Sequence, residues 1–222
     1  MATPATAPKT PAAPAATPPS GAWTSALPPM ALRSLDATWD RARWERLPAD
    51  GNRYEVIDGV LYMTTAPRFF HQWIIHQIVR ILFVQIEDAG VGLVIWSPIG
   101  VFMPGCDPCQ PDVVVIRAAD THVHQEGRIV GIPALLIEVV SPSHPTLDTE
   151  VKRRAYARAG VPEYWIVRPA TRDVLVCTQP DAARGDYAQA QPFADGTELV
   201  SPTLPIRAAV ADLFAGAPDS TL

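Results

Sequence analysis

The chain has 222 residues, of which 48% are hydrophobic and 18% charged, and its formal net charge is −5. This length suggests one main domain with a tail, and the composition is ordinary for a globular protein with a real core. The negative charge excludes a globally basic nucleic-acid binder, although a locally basic groove stays open.

Three cysteines, Cys106, Cys109 and Cys177, are too few for a disulfide framework. The first 23 residues contain no apolar stretch typical of a signal peptide, and no window of the chain approaches 18 uninterrupted apolar residues. We therefore expect no membrane span, and a cytoplasmic location if the source is prokaryotic.

Residues 1–30 are dominated by Ala, Pro and Thr, with Lys9 as their only charge. This composition predicts a disordered, partly polyproline-II tail, because it cannot bury enough apolar surface to order itself. A single ordered domain is expected over residues 34–216. It should begin with a short amphipathic helix from Ser34 to a stop at Pro48.

Two β-rich runs flank Asp58-Gly59, a dipeptide typical of a two-residue hairpin turn. The segment 71–90 then repeats isoleucine and leucine at helical spacing, which predicts a long helix ending at Gly90.

The rest of the chain alternates predicted strands and helices. In chain order these are a strand or hairpin at 91–103, a turn at 105–111, a buried strand at 112–116, a strand at 134–140, a helix at 146–160, strands at 162–169 and 173–178, loops and short edge strands at 181–206, and a brief helix at 207–216. This order predicts a mixed sheet flanked by helices, in the α/β or α+β class.

Four polar residues lie where the pattern predicts a strand interior, a strand end or an adjoining helix: Glu55, Asp112, Glu138 and Lys152. Carboxylates on neighbouring strands can hold a hard cation such as Mg²⁺, which polarises a phosphoryl oxygen and generates hydroxide near neutral pH. A nearby lysine could orient the attacking water or stabilise developing charge. Glu55 could add a third carboxylate ligand.

Each of these residues also has a structural interpretation. Asp112 follows a proline and can cap a turn, and Glu138 can pair with an arginine of the next helix. Lys152 can be a solvated helix residue, and Glu55 can point outward from its strand. The four residues together indicate a catalytic or metal-binding site more strongly than any one of them does, because the lysine follows the strand glutamate by 14 residues.

Five segments resemble the Uma-type family of putative restriction endonucleases, within the PD-(D/E)XK nuclease superfamily. They are "RYEVIDGVLY", "HQWIIHQIVRIL", "QPDVVVI", "ALLIEVVSPS" and "DTEVKRRAYARAGVPEYWIVRP", which reach from Arg53 to Pro169. The resemblance implies a restriction-endonuclease-like fold and Mg²⁺- or Mn²⁺-dependent hydrolysis of DNA phosphodiester bonds. It also implies a homodimer, because cutting both strands of a duplex needs two sites.

The resemblance also assigns residues by position. Pro111-Asp112 fills the PD motif, Glu138 is the (D/E) residue, and Glu55 corresponds to the glutamate before the hairpin turn. His71 matches the histidine that opens the family's long helix and is expected to be an accessory residue.

The chain departs from the superfamily motif at its lysine, and from the family pattern at the asparagine of the long helix, where Gln77 stands. Val140 stands two residues after the strand glutamate, where the superfamily motif has a lysine. Lys152 on the next helix is the expected replacement, as in Uma-type sequences generally. Tyr156 shares its helix face and either positions Lys152 or packs in the core.

The leading hypothesis is a metal-dependent endonuclease, and the alternative is a catalytically inactive relative that serves as a binding or scaffold protein. A thiol-redox or zinc protein built on Cys106 and Cys109 is disfavoured, because one C-x-x-C pair supplies half of a four-ligand zinc site. A reduced pair in a turn is the expectation for these cysteines.

Overall fold

The computed structural model describes residues 32–64, 66–125 and 127–216. The tail predicted for residues 1–30 lies outside the described residues. Within them, none of the helices combines the length and the apolar character that a membrane span requires.

The strands are, in chain order, β1 (Leu32–Arg33), β2 (Arg53–Ile57), β3 (Val60–Thr64), β4 (Gly92–Trp96), β5 (Val101–Met103), β6 (Cys106–Cys109), β7 (Val113–Arg117), β8 (His124–Gln125), β9 (Arg128–Val130), β10 (Leu135–Val139), β11 (Glu163–Arg168), β12 (Asp173–Asp181), β13 (Asp186–Ala194), β14 (Glu198–Val200) and β15 (Arg207–Ala209). The helices are α1 (Arg41–Trp44), α2 (Phe69–Leu82), α3 (Arg153–Ala159) and α4 (Val210–Leu213). The π-helical segments Phe83–Glu87 and Leu147–Lys152 follow α2 and precede α3, and a 3₁₀ segment covers Ala118–Val123.

The described strands form two mixed sheets and one small antiparallel pair. The central sheet has the order β13-β12-β11-β10-β7-β4, in which β10 and β11 run parallel and the other neighbours antiparallel. The hairpin sheet has the order β1-β3-β2-β6-β5-β9-β8, and β14 pairs with β15. The predicted α+β class with a mixed sheet and flanking helices is confirmed.

Both faces of the central sheet are buried. Leu135, Ile137 and Val139 of β10 pack in one core with the apolar residues of α2. Leu136 faces a second core, which contains Tyr156 of α3. Because side chains alternate along a strand, Glu138 points to the same side as Leu136, towards α3 and the hairpin sheet.

The hairpin prediction is confirmed. β2 and β3 pair in register around Asp58-Gly59, and both turn residues have positive φ, at 50° and 76°. This is the geometry of the primed turns that match strand twist. A Cβ on Gly59 would lie 2.3 Å from the carbonyl oxygen of Ala37, so the turn also needs glycine for close packing.

The long helix is also confirmed, with a shifted start. It begins at Phe69 rather than 71, and its π-helical continuation ends at Glu87, shortly before Gly90. Four apolar residues of α2 at helical spacing are buried, namely Ile74, Ile75, Ile78 and Leu82.

The helix predicted from Ser34 to Pro48 is wrong for most of its length. Only Arg41–Trp44 is helical, and the Asp40 carboxylate caps it by accepting from the backbone N–H of Arg43 at 2.8 Å. The preceding residues run along the hairpin instead, where the backbone N–H of Ser34 donates to Leu61. Leu35 is 99% exposed, so its apolar side chain does not mark a packed helix face.

Of two predictions in irregular regions, the first is wrong and the second is right about an edge strand but underestimates its length. The segment predicted as a turn at 105–111 contains strand β6, which pairs with β5 and β2. Residues 181–206, predicted as loops and short edge strands, contain the nine-residue strand β13 at the edge of the central sheet. Pairing with β12 stabilises β13 although most of its side chains are exposed.

Candidate active site

Asp112 and Glu138 lie opposite each other on neighbouring strands. β7 and β10 are antiparallel, with Val113 opposite Ile137, so one further step of the register sets Asp112 opposite Glu138. Directly opposed residues share a face of the sheet and have Cβ atoms about 5 Å apart. The backbone N–H of Val139 also donates to Asp112 Oδ2 at 2.9 Å, which fixes this carboxylate against β10.

Glu138 is 2% exposed and shares one of its oxygens between two donors of the adjoining helical segment. Lys152 Nζ and the Tyr156 hydroxyl each donate to Glu138 Oε1 at 2.9 Å. The two donors are four residues apart and therefore lie on one helix face. The buried glutamate is thus hydrogen-bonded and ion-paired, which offsets the cost of its burial.

Lys152 joins three carboxylates. Its ammonium lies 3.0 Å from Glu55 Oε1, 2.9 Å from Glu138 Oε1 and 3.5 Å from Asp148 Oδ1. Burial alone would lower the pKa of Lys152, but these carboxylates outweigh burial and raise it well above its ordinary value. Lys152 is therefore a fixed cation and cannot serve as a proton acceptor at neutral pH.

Besides the backbone N–H of Val139 in β10, side chains from β2 and α2 hold Asp112. Arg53 Nη1 lies 3.3 Å from Asp112 Oδ1, and His71 Nε2 lies 3.1 Å from Asp112 Oδ2. Burial alone would raise the pKa of Asp112, but the His71 hydrogen bond and the positive charge of Arg53 hold it well below its ordinary range. Asp112 therefore stays an anion at any physiological pH.

Negative charge is in excess in this cluster. Four buried carboxylates, Glu55, Asp112, Glu138 and Asp148, face the two permanent cations Lys152 and Arg53. Burial raises the pKa of Glu138 well above its usual value, and the charge of Asp112 adds to this against the opposing effect of Lys152. Burial likewise raises the pKa of Asp148 to about 6.

The donor chemistry of this cluster fits a hard divalent cation. With all four carboxylates ionised, the cluster has two more negative than positive charges, which one Mg²⁺ or Mn²⁺ would balance. Without an ion, the raised pKa of Glu138 reduces this excess by favouring its protonated form. Mg²⁺ is often held by one or two carboxylates with waters. Asp112 and Glu138, on opposed strands, are the pair placed to share an ion. Within the described ranges, three or more His, Cys, Asp or Glu residues do not converge in a ready-made metal cage.

A pocket of about 340 Å³ opens onto the carboxylates. Its polar end contains the charged cluster, and apolar side chains such as Phe69 and Leu147 form other parts of its wall. Two nitrogen atoms at this end, Arg53 Nε and His71 Nδ1, are buried without a hydrogen-bond partner among the described residues. Such groups are rare in folded proteins.

A family model described as "Uma2: Putative restriction endonuclease" matches residues 41–211. The chain belongs to the Uma2 family. The match covers every strand and helix that contributes to the charged cluster. A comparison with curated proteins finds no match.

This Uma2 protein also resembles a crystal structure of a "putative nuclease belonging to DUF820" from Anabaena variabilis. The TM-score is 0.67, the sequence identity is 16%, and the match covers 80% of this chain and 98% of the other. At this identity the similarity establishes the fold, which is restriction-endonuclease-like.

All six residues singled out in the sequence meet in this Uma2 site. Glu55, Asp112, Glu138, Lys152 and His71 line the pocket, and Tyr156 lies behind it against Glu138. Glu55 points inward and is 1% exposed, and Gln110 donates to it through its backbone N–H at 2.7 Å. Whether these residues act in catalysis or bind metal stays a prediction.

Sequence reasoning missed two charged residues, Arg53 and Asp148. Asp148 precedes Lys152 by four residues, so the helical spacing of opposite charges could have identified it. Arg53 opens β2 two residues before Glu55, and its role depends on the packing of β2 beside the β6–β7 connection, which no local pattern reveals. Lysine usage was a further signal, because Lys152 is the only lysine after Lys9 in the whole sequence.

The cysteines and the second histidine of α2 do not join the site. Cys106 and Cys109 are buried as free thiols in β6, and Cys109 Sγ lies 3.6 Å from the carbonyl oxygen of Val101. The expectation of a reduced pair agrees with these free thiols, although they lie in a strand rather than a turn. His76 is exposed on α2 and packs near Trp73.

Proposed function

We propose that this Uma2 protein is a Mg²⁺- or Mn²⁺-dependent endonuclease that hydrolyses DNA phosphodiester bonds. The observation that supports the proposal is the convergence of four buried carboxylates and Lys152 at the polar end of one pocket. So much buried charge costs stability and is typical of a functional site. A cytoplasmic location and a homodimer stay predictions that belong to this proposal.

Asp112 and Glu138 would hold the metal ion, and Glu55 would support it. When bound, the ion would polarise the phosphoryl oxygen and favour a water nucleophile near neutral pH. Asp112 is anionic throughout the physiological range, so it is ready to bind a cation without releasing a proton.

Lys152 would act through its charge. Because its raised pKa keeps the ammonium protonated, it can donate to an attacking water or to a phosphoryl oxygen that gains negative charge. Tyr156 and His71 would position Glu138 and Asp112, respectively, through the hydrogen bonds that they donate. Such partners fix the orientation of metal-binding side chains.

The alternative is a non-catalytic protein that keeps the fold for binding. One observation favours it: the Lys152 ammonium already pairs with Glu55, Glu138 and Asp148. The three acids share this one cation, as they would in a cluster whose role is structural. Cleavage assays distinguish the two functions.

The test is incubation of the full chain with supercoiled plasmid and with single-stranded circular DNA, in Mg²⁺, Mn²⁺ or EDTA. We expect metal-dependent cleavage that falls at least about 100-fold in Asp112→Ala and in Glu138→Ala, as when a charge-stabilising group is removed from an active site. Glu198→Ala is the matched control, because Glu198 is an exposed carboxylate paired with Arg207. No cleavage of either DNA, or cleavage that survives both site variants, would contradict the proposal.

A further inference from the structure

The pocket has apolar walls that phosphodiester hydrolysis does not require. Besides the charged cluster, its lining contains Phe69, Phe70, Val140, Leu147 and Pro169. A metal ion, a water and a phosphate would use the polar end alone. At about 340 Å³ the pocket is at the lower end of the range for small-ligand sites, where apolar walls bind the body of a ligand and a few polar groups orient it.

Phe69 is an unusual residue of this wall. It is 59% exposed, and of the large hydrophobic residues that are exposed in the described chain it is the one that lines the pocket. It stacks on Trp73, with ring centroids 6.2 Å apart and an angle of 23° between the planes. An aromatic ring that is held by a neighbour yet exposed to solvent is suited to stacking against a nucleobase.

The supply of free cations is small around this pocket. Nine of the sixteen arginines form ion pairs with carboxylates of the same chain in the described residues. Arg53 and Arg68 are the arginines of the pocket lining, and Arg53 is one of those paired. A protein that tracks a duplex commonly contacts about six to ten phosphates. The pocket surroundings therefore fit a short stretch of backbone better than a long duplex.

We propose that the pocket binds one unpaired nucleotide, whose base stacks on Phe69 while its phosphate lies at the charged cluster. This inference rests on the proposed function and names its substrate class: DNA that is single-stranded, or locally unpaired, at the point of attack. Arg68 at the mouth contacts the adjoining phosphate. A base within an intact duplex cannot reach the wall, because it would first have to leave the stack.

The test titrates the full chain into a fluorescein-labelled 12-nucleotide single strand and into the matched blunt duplex. Binding is measured by the fluorescence anisotropy of the labelled DNA. Ca²⁺ replaces Mg²⁺, because it accepts oxygen ligands but lacks the short, rigid octahedral geometry of Mg²⁺. We expect the single strand to bind at least about tenfold more tightly than the duplex. Phe69→Ala should weaken single-strand binding between about fivefold and 150-fold, the range for loss of a base–aromatic stack, and Phe69→Tyr should bind like the parent.

Two controls separate stacking from general damage. Trp96→Ala removes another half-exposed aromatic ring, 47% exposed, that lies outside the pocket lining, and it should leave binding unchanged. An oligonucleotide with abasic sites should bind the parent protein as weakly as the normal oligonucleotide binds Phe69→Ala. The Phe69→Ala variant should bind the abasic and the normal oligonucleotide equally.

Equal binding of duplex and single strand, or full binding by Phe69→Ala, would overturn the inference. The plasmid assay is independent of this result. Metal-dependent cleavage without a single-strand preference would leave the proposed function standing and refute the inference. A Phe69-dependent preference without cleavage would support the nucleotide pocket and refute the enzyme.

Discussion

Glu138 is tolerated in a buried strand because its neighbours supply the interactions that water would otherwise provide. Lys152 and Tyr156 both donate to it, and the hydrogen-bonded Asp112 lies on the opposed strand. An isolated carboxylate in the same position would cost several kcal/mol. The cluster still contains more acids than cations, so we expect its stability to depend on pH and, under the proposed function, on added metal ions.

Asp148 provides a test of this dependence in EDTA. Its folded pKa of about 6 is above the ordinary value of 3.8, so its contribution to stability is complete below pH 3.8 and is lost as the pH rises through 6. Asp148→Asn removes this loss. We therefore expect the variant to gain about 1–3 kcal/mol relative to the parent between pH 4 and pH 7.5, measured by urea unfolding.

The control for Asp148 is Asp195→Asn. Its free energy of unfolding relative to the parent should fall, rather than rise, as the pH increases. The hydrogen bond from Arg172 lowers the pKa of the exposed Asp195 carboxyl, so its contribution to stability is present at neutral pH and disappears as the pH falls. An Asp148→Asn advantage that stays constant from pH 4 to pH 7.5 would contradict the assignment of a raised pKa to Asp148.

At the scale of elements, a buried carboxylate outside the charged cluster attaches the C-terminal segment to the central sheet. Glu163, the first residue of β11, is fully buried and accepts from Trp165 Nε1 at 2.5 Å and from Ser201 Oγ at 2.7 Å. Thr203 donates to the same carboxylate through its hydroxyl and its backbone N–H. These contacts fix the loop between β14 and β15 and have no connection to the pocket.

Ser201→Ala tests this attachment. The Ser201 hydroxyl donates to Glu163 and also accepts from the backbone N–H of Leu204 at 3.0 Å. Its loss removes one of the donors to the buried Glu163 carboxylate and leaves the buried Leu204 N–H without this acceptor. We expect the free energy of unfolding to fall by about 1–3 kcal/mol, with cleavage unchanged. Thr171→Ala, which removes an exposed hydroxyl bonded to Asp173, should change it by less than about 0.5 kcal/mol. Equal effects of the two substitutions would contradict the structural role of Glu163.

At the scale of the whole molecule, the site exists because separate segments of the chain meet. Glu55 comes from the hairpin sheet, Asp112 and Glu138 from the central sheet, His71 from α2, and Lys152 from the segment that precedes α3. An ion bound by such a site is bound by the folded state and not by the unfolded chain. Metal binding should therefore stabilise the whole fold.

Thermal unfolding in Mg²⁺ measures this linkage. At ten times its dissociation constant, a ligand specific for the folded state adds about 1.4 kcal/mol, which corresponds to about 4 °C in Tm for a chain of this size. We expect this rise for the parent and its loss in Asp112→Asn and Glu138→Gln, with NaCl of equal ionic strength as the control. A rise of the same size in the parent and in both variants would place the ion elsewhere.

Local signals predicted the hairpin and the long helix, because a turn dipeptide and a helical period act over a few residues. The same reasoning failed for 34–48, where apolar residues among charges suit a strand-like segment beside the hairpin as well as a helix. It failed for β6 because Pro108 is typical of turns. It underestimated the length of β13 because the polar side chains of an exposed edge strand resemble those of a loop.

The sequence by itself determined which side chains are chemically unusual here: a glutamate within an apolar strand, an aspartate after Pro111, and a lysine in a chain almost without lysine. Family resemblance linked them into one expected site. Only the tertiary structure decided that Glu55 points inward, that Arg53 and Asp148 join the cluster, and that Phe69 lines the same pocket as the carboxylates. The reason is physical: residue type and period depend on neighbours along the chain, whereas charge balance and pocket shape depend on which segments pack together.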